Sequence, residues 1–541
     1  MEGIEVYIIL LVIIAAIGIL FRKSSIPPAL LLVIVGILLS QIPSFPQVEL
    51  NSRVVLDLFL PLLIYQISRN SSWREVKQYI HSIAFLAVGH VFLMTILVAF
   101  IIHWIMPGLG WPMAFLIGAV ISPPDDVAIV AISAKVHIPH RIMTVLKGEA
   151  IFNDATALIL FRFALAAVLS QHFYPEKAAL SFMLVVIGET LYGLMVGNCF
   201  GSLSMKIREP VLQMTISFLT PLIAYFPAER MGGCGILATA VAGFTIADRY
   251  YDRYQPEGRL LLGSVWSTLT FLIESILFLC VGLEMRFVIE RISTLELREL
   301  FILSTSVILT VIVGRFLFVY PVAYLARIFF PSIRKKDPTP SWQQIFIISW
   351  AGMRGGISLA AALAIPPLIS PLNGVNPRDL LIFIVFCVIF STLLIQGLAF
   401  PWILKILGLH AHGKKEHHLE HLSILQAKLR MIEAVIVWLQ ESKKSAKEDF
   451  KLYKEVNIHL RDYENRKKNI EDRVEHHNNQ MLNTDNDYNA YSEFKDPAAL
   501  SIEIMVIERE ALFELWREKK ISHAVKLKLL HHLDYRSKQF L

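Results

Sequence analysis

Residues 118–162 read GAVISPPDDVAIVAISAKVHIPHRIMTVLKGEAIFNDATALILFR. Asp125, Asp126, Lys147, Glu149, Asp154 and Arg162 stand inside or beside two strongly apolar runs of that stretch. An ionised side chain near the middle of a bilayer costs at least about 2.5–3.5 kcal/mol on insertion scales, so such a cluster implies paired charges or a water-filled site with a use.

Outward from this stretch the chain has the composition of a polytopic membrane protein. It has 541 residues, 55% of them hydrophobic and 18% charged, with a mean hydropathy of +0.55, above what a soluble domain of this length shows. The first apolar run, Val6 to Phe21, has acidic residues before it and Arg22-Lys23 after it. That is the reverse of a signal peptide's charge order, so it reads as a retained span. Windows of about 20 apolar residues give thirteen candidate spans, at roughly 4–21, 27–42, 54–68, 79–105, 111–131, 142–170, 178–204, 210–226, 231–248, 259–283, 300–325, 342–369 and 379–408. With the N-terminus outside, the inner loops hold 16 Lys and Arg and the outer loops 7, an asymmetry that places the C-terminal tail in the cytoplasm. From His410 onward 23 basic residues face 22 acidic ones, so no nucleic-acid partner is expected. Cys199, Cys234, Cys280 and Cys387 lie singly in apolar segments, which gives disulfide and zinc readings little support.

An odd number of spans with a central seventh permits two six-span halves that enter the membrane from opposite sides, an inverted repeat. Two helix-breaking sequences fall in the fifth span of each half: Ser122 to Asp126 (SPPDD) and Gly352 to Gly356 (GMRGG). Pro123 and Pro124 remove backbone donors, and Gly355 and Gly356 permit non-helical dihedrals. Interrupted segments at corresponding places point to a midplane ion site, because helix ends and carbonyls freed there can coordinate an ion.

Along the sixth span Glu149 and Asp154 are five residues apart. At about 100° per residue they point about 140° from each other and meet different surroundings. Asn153 and Asp154 reach the side of the broken fifth span, where Asp125 and Asp126 lie. A carboxylate there holds either a proton or a hard monovalent cation, but not both, and alternate exposure of that acid to the two sides is sufficient physics for cation/proton exchange. Glu149 needs a cation to stay buried and ionised. Arg315, alone in the eleventh span, is the best candidate, with Arg354 and Lys147 next. Glu274 lies deep in its apolar run, whereas Asp57 and Glu229 read as interfacial.

After Leu409 the composition changes, dividing the chain into a membrane domain, 1–409, and a helical cytoplasmic tail, 410–541. From Leu422 to Leu460 apolar residues step mostly by threes and fours, a heptad-like seam broken by Lys443 and Asn457. Asn478 to Asn489 reads as a polar loop, and a second helical pair is expected from about Ala498 to Lys538. The tail's histidines, such as His417, His418 and His421, read as a solvated face.

The segments SPPDDVAIV, GEAIFNDATALILF, AERMGGCGILATAVAGF, SWAGMRGGISLAAALAIP and PRDLLIFIVFCVIFSTLLIQG resemble, in order, the signatures of the sodium/proton antiporters of the monovalent cation:proton antiporter-1 family. The tail segment IEREALFELWREKKISHAVKLKLLHHLD is similar to the C-terminus of bacterial members. The resemblance implies an all-α polytopic protein of the cell (inner) membrane, with about 13 helices in two inverted repeats and broken helices that cross. It also implies a homodimer whose core domain moves against a dimerisation domain, and no enzymatic chemistry or cofactor beyond the transported cation and proton. Asp154 would be the exchanging acid, with Asn153 beside it; the Asn-Asp form goes with electroneutral exchange. Sodium or potassium would sit at Asp154 and Asp125, and Glu149 with Arg315 would form a structural ion pair.

The chain departs from that pattern at four places. The usual Thr-Asp-Pro is Pro124-Asp125-Asp126, a serine after the Gly-Glu is Ala150, the usual Phe-Glu is Tyr65-Gln66, and an asparagine of the tenth span is Glu274. Hard cations prefer oxygen ligands, and these exchanges change donor number and charge. Potassium/proton exchange is therefore the alternative to sodium/proton exchange, with Gln66, Glu274 and Arg354 as accessory residues. A channel or a non-transporting cation or pH sensor on the same fold is a further reading. An intramembrane aspartyl protease is a remote one: Pro28-Ala29-Leu30 supplies a PAL tripeptide, but no GxGD accompanies Asp125 or Asp154.

Overall fold

Proline and glycine mark the two places where expected spans break, although Pro221, Pro227, Pro321 and Pro401 lie inside helices. The computed structural model describes residues 3–20, 28–42, 45, 54–125, 127–133, 136–170, 175–233, 235–292, 296–329, 339–355, 358, 361–362, 365, 376–445, 450–479 and 498–537. The described residues are nearly all helical and include no strand. The first helices are α1 (Gly3–Leu20), α2 (Pro28–Ser40), α3 (Leu60–Arg69, preceded by a π-helical turn Val55–Phe59), α4 (Trp73–Gln78) and α5 (Ile80–Ile105). Then come α6 (Gly110–Ile121), α7 (Val127–Ser133), α8 (His140–Ser170), α9 (Pro175–Lys206), α10 (Pro210–Arg230) and α11 (Ile236–Arg249). The membrane part closes with α12 (Pro256–Arg291), α13 (Leu297–Phe329), α14 (Trp342–Trp350) and α15 (Pro377–Ile406).

Six of these, α5, α8, Ser181–Lys206 of α9, α10, Leu297–Leu325 of α13 and α15, are each long and apolar enough to cross a bilayer. Other expected spans fall on shorter apolar helices, such as Ile8–Leu20 and Pro28–Ser40, on the 36-residue α12, or on interrupted helices. The expected fifth span is one such: α6 ends at Ile121, residues 122–125 are non-helical, and α7 resumes at Val127. The cause is local, since two successive prolines lack donors and disfavour the helical region for the residue before them. In the twelfth, α14 starts on a capping box of Ser341 and Gln344 and ends at Trp350, before the non-helical residues 351–355.

Close packing relies on small residues. Gly36 of α2 and Gly282 of α12 face each other: a Cβ on Gly36 would lie 2.9 Å from the Gly282 Cα, and one on Gly282 would lie 2.8 Å from the Gly36 Cα. Side chains cannot be inserted at such a backbone-to-backbone crossing, which is how membrane helices approach closely. Around the interrupted segments, α8 packs against α6 and the π-helical turn Phe85–His90 of α5, while α13 packs against α5, α14 and α15.

The chain divides into two compact units, the first Met1–Arg253 with Ser264–Gly413, the second Tyr254–Gly263 with Lys414–Leu541. The second holds α16 (Leu409–Ser445, from Lys414), α17 (Phe450–Asn479), α18 (Ala498–Arg517) and α19 (His523–Ser537). The expected polar loop beyond Asn479 lies outside the described residues. The seam on α16 is wider than a heptad stripe: Ala427 and Met431 join Leu512, Leu529 and Leu533 of α18 and α19, while Ile432, Val435 and Leu439 join Val456, Leu460 and Tyr463 of α17. One helix thus serves two small cores, as in a bundle, instead of a two-stranded coil.

The second unit also contains a buried charge triad. Asp534 accepts from Arg259 Nε at 2.6 Å, from Arg259 Nη2, and from Arg509 Nη2 at 3.1 Å, with the side chains of Arg259 and Asp534 both 2% exposed. Removing one partner of a buried pair costs about 3–5 kcal/mol, because the other charge stays buried. Asp534→Ala is therefore expected to destabilise this unit by that amount. Hydrogen exchange at residues 254–263 and 523–537 reads the loss; unchanged protection would contradict it.

Candidate functional site

The two interrupted helices meet through their backbones. The Asp125 amide donates to the Met353 carbonyl at 2.7 Å. Arg354 is buried, its amide donates to Thr392 Oγ1 at 3.1 Å, and its Nη1 donates to the Ser122 carbonyl just beyond the end of α6. A guanidinium there offsets the partial negative charge at a helix C-terminus. Arg354 Nε and Nη2 have no hydrogen-bond partner among the described residues. Gly355 leaves room for Asp125, because a Cβ at Gly355 would fall on the Asp125 carboxylate. Gly355→Ala is accordingly expected to displace Asp125 and to slow exchange at least about tenfold, the effect of a lost hydrogen bond to a charged group. Unaltered flux in reconstituted vesicles would contradict it.

Helix α8 presents its two carboxylates to different neighbours. Glu149 Oε1 and Oε2 accept from Arg315 Nη1 and Nη2 at 2.7 and 2.8 Å, and Arg315 Nε donates to the Ile348 carbonyl at 3.1 Å. The Glu149 and Arg315 side chains are 2% and 1% exposed. This is a bidentate pair with its remaining Nε donor satisfied, the geometry in which burial of both charges is tolerated. Gly352 makes room for it, since a Cβ there would come within 2.6 Å of Arg315 Cδ.

Five residues on, Asp154 is 6% exposed and lines a small cavity with Val120, Pro123, Leu158 and Ser358. Its volume of about 10 Å³ is about that of one water-sized group, and Asp154 and Ser358 are the lining residues with side-chain oxygens. Asn153, fully buried, donates through Nδ2 to the Pro124 carbonyl at 2.7 Å, while its Oδ1 has no partner among the described residues. Pro124 thus orients Asn153 by offering a carbonyl that, at the break, does not serve a helix.

The structure gathers Asn153 and Asp154 beside Pro123 and Pro124, and Asp125 beside Met353 and Gly355. Asp126 and Gly356 lie outside the described residues. Gln66 is buried on α3, and its Oε1 accepts from Arg69 Nη2 at 3.1 Å. Glu274 is half-buried midway along α12. Arg162 meets Glu229 at 2.6 Å and donates to the Gly233 carbonyl, joining the far end of α8 to the end of α10. Sequence reasoning passed over three other buried polar residues. Thr392 holds the Arg354 amide, Gln396 is buried with neither amide atom partnered among the described residues, and His90 is fully buried with neither ring nitrogen so partnered, 5.7 Å from the Phe318 ring. Gln396 and His90 belong to π-helical turns, Leu393–Gly397 and Phe85–His90, a feature common at functional sites. A polar residue inside an apolar span was the available signal for each.

Apolar helices with two interrupted segments meeting beside buried carboxylates define the class of secondary transporters. The chain belongs to the sodium/hydrogen exchanger family: the family described as "Sodium/hydrogen exchanger, transmembrane" matches residues 8–406. An uncharacterized Na(+)/H(+) exchanger of Escherichia coli, YjcE, is 30% identical over 531 residues, covering 94% of this chain and 93% of that one. A sodium, potassium, lithium and rubidium/H(+) antiporter of Bacillus subtilis is 29% identical over 406 residues, 73% of this chain and 60% of its own. Among solved structures, the sodium proton antiporter MjNhaP1 of Methanocaldococcus jannaschii shares the fold, with a TM-score of 0.58 at 18% identity, over 75% of this chain and 100% of that one.

Proposed function

We propose that this chain is a secondary active monovalent cation/proton antiporter, sodium/proton with potassium as the alternative cation, in which Asp154 carries proton and cation in turn. The observation that carries this reading is the division of labour on α8. Both oxygens of Glu149 bond to Arg315, and Asp154 lines the small cavity at the break. Family membership over residues 8–406 supports it, as do the named activities of the relatives in Bacillus and Methanocaldococcus. Asn153 and Asp125 complete the site, with Asp126 adjoining them in sequence. Because one acid holds one proton or one monovalent cation, exchange is one for one and electroneutral. The protein crosses the inner membrane about thirteen times in two inverted repeats, with the N-terminus outside and the helical tail after Leu409 in the cytoplasm. It works as a homodimer.

Proteoliposomes loaded at one pH and diluted into sodium, potassium, lithium or choline media test this. Saturable, sodium-dependent alkalinisation that is unaltered when valinomycin and equal potassium on both sides clamp the potential at zero, measured over the potassium-only background, is expected for sodium. A linear, voltage-driven conductance would show a channel instead.

A further inference from the structure

A second cavity lies in the first unit, away from Asp154, where the start of α5, the start of α8, the end of α13 and the lead-in to α14 come together. Its polar lining is His81, Ser82, Arg141 and Arg327, and its apolar wall includes Val322 and Ile348. No Asp or Glu lines it among the described residues. Arg327 is 6% exposed and held in place, its Nη1 donating to the Ala323 carbonyl at 2.7 Å and its Nη2 to Ser82 Oγ at 3.1 Å. Arg141 packs over the Tyr79 ring at 5.8 Å. Two guanidinium groups thus line a cavity whose other walls are mainly apolar.

The volume, about 40 Å³, has room for about three water-sized groups. That is about the size of one tetrahedral oxyanion. Guanidinium is the group best matched to phosphate oxygens, and a basic pocket between transmembrane helices at one membrane face is a phospholipid headgroup geometry. We propose that this cavity is a binding site for a phosphate oxyanion, with Arg141 and Arg327 as its charged ligands. An anionic phospholipid supplies that group together with acyl chains for the apolar wall; inorganic phosphate supplies the charge alone.

The full-length protein, delipidated in detergent, is titrated with dioleoylphosphatidylglycerol, with zwitterionic dioleoylphosphatidylcholine, or with inorganic phosphate, and its melting temperature is followed. The wild type is expected to be stabilised saturably by phosphatidylglycerol and not by phosphatidylcholine. In the double variant Arg141→Gln/Arg327→Gln the half-saturating concentration rises at least about tenfold, as the loss of charge-assisted bonds requires. Val322→Phe fills the cavity while keeping both arginines, and the same rise is expected there, so the test stands if the double variant does not fold. Stabilisation by inorganic phosphate with the same dependence on both variants would keep the site and identify its source as the free ion. Stabilisation of Val322→Phe at wild-type concentrations, or no response of the wild type to either phosphate source, would overturn the proposal.

Discussion

Asp154→Asn is expected to lower cation-dependent proton flux in proteoliposomes at least about a hundredfold while the protein still folds. The substitution keeps the volume and hydrogen-bonding reach of the side chain in its cavity beside Pro123 and Ser358 but removes both the exchangeable proton and the charge that holds the cation. A charge-assisted interaction is worth about 1.5–3 kcal/mol, or about 10–150-fold, and loss of the exchanging proton adds to it. The melting temperature is the control, since Asn is isosteric. Flux at the wild-type rate from folded Asp154→Asn protein would remove Asp154 from the exchange.

Arg315→Ala should have the opposite signature. It strands Glu149, whose two oxygens both rest on Arg315, and a buried carboxylate without its partner costs about 3–5 kcal/mol. Thermal stability is therefore expected to fall sharply, while the apparent cation affinity of the protein that remains folded changes little. Replacing both partners, as in Glu149→Gln/Arg315→Gln, should recover part of the loss, because no charge is then left alone in the membrane. A large change of affinity with unaltered stability would place the pair in the transport site instead.

Much of the site's framework was legible because its residues break strong local rules. Two adjacent prolines inside an apolar run, matched by the glycines of the other half, favour a break over a simple kink, so the interruption at Ser122 to Asp125 was readable from sequence. The 100° step of an α-helix separated Glu149 from Asp154 before either had a neighbour. The partner contacts were not legible, because they depend on which carbonyls and hydroxyls a tertiary arrangement brings together. That Arg354 would reach the Ser122 carbonyl and Thr392 depends on the placement of α6 against α15, which no local pattern encodes. Gln66, a candidate accessory ligand by its place in the family pattern, is bonded to Arg69 one turn on. Arg259, one of the 16 inner-loop basic residues, carries a buried pair with Asp534, 275 residues away. His90 was hidden by the very apolarity of its run, which drew attention to the span and away from its one fully buried imidazole.

The selectivity question centres on the same few atoms. Pro124 has no hydroxyl where the family pattern has a threonine, and its backbone carbonyl is used by Asn153. Ala150 contributes no oxygen one position after Glu149. Ala150→Ser restores a hydroxyl on α8 and is expected to shift the sodium-to-potassium ratio of apparent affinities toward sodium by several-fold, since the smaller cation gains more from an added hard donor. Parallel titrations with the two cations read the ratio, and an unchanged ratio would exclude position 150 from selectivity.

The central claim is that proton and cation occupy one carboxylate in turn. It is tested most directly by the apparent KM for sodium, measured in proteoliposomes over a pH series. Competition for Asp154 predicts that KM rises about tenfold for each unit by which the pH falls below the site's own pKa, with the maximal rate at saturating sodium unchanged. An apparent KM that stays constant while the maximal rate falls with pH would show that protons act at a different group, and would contradict the account.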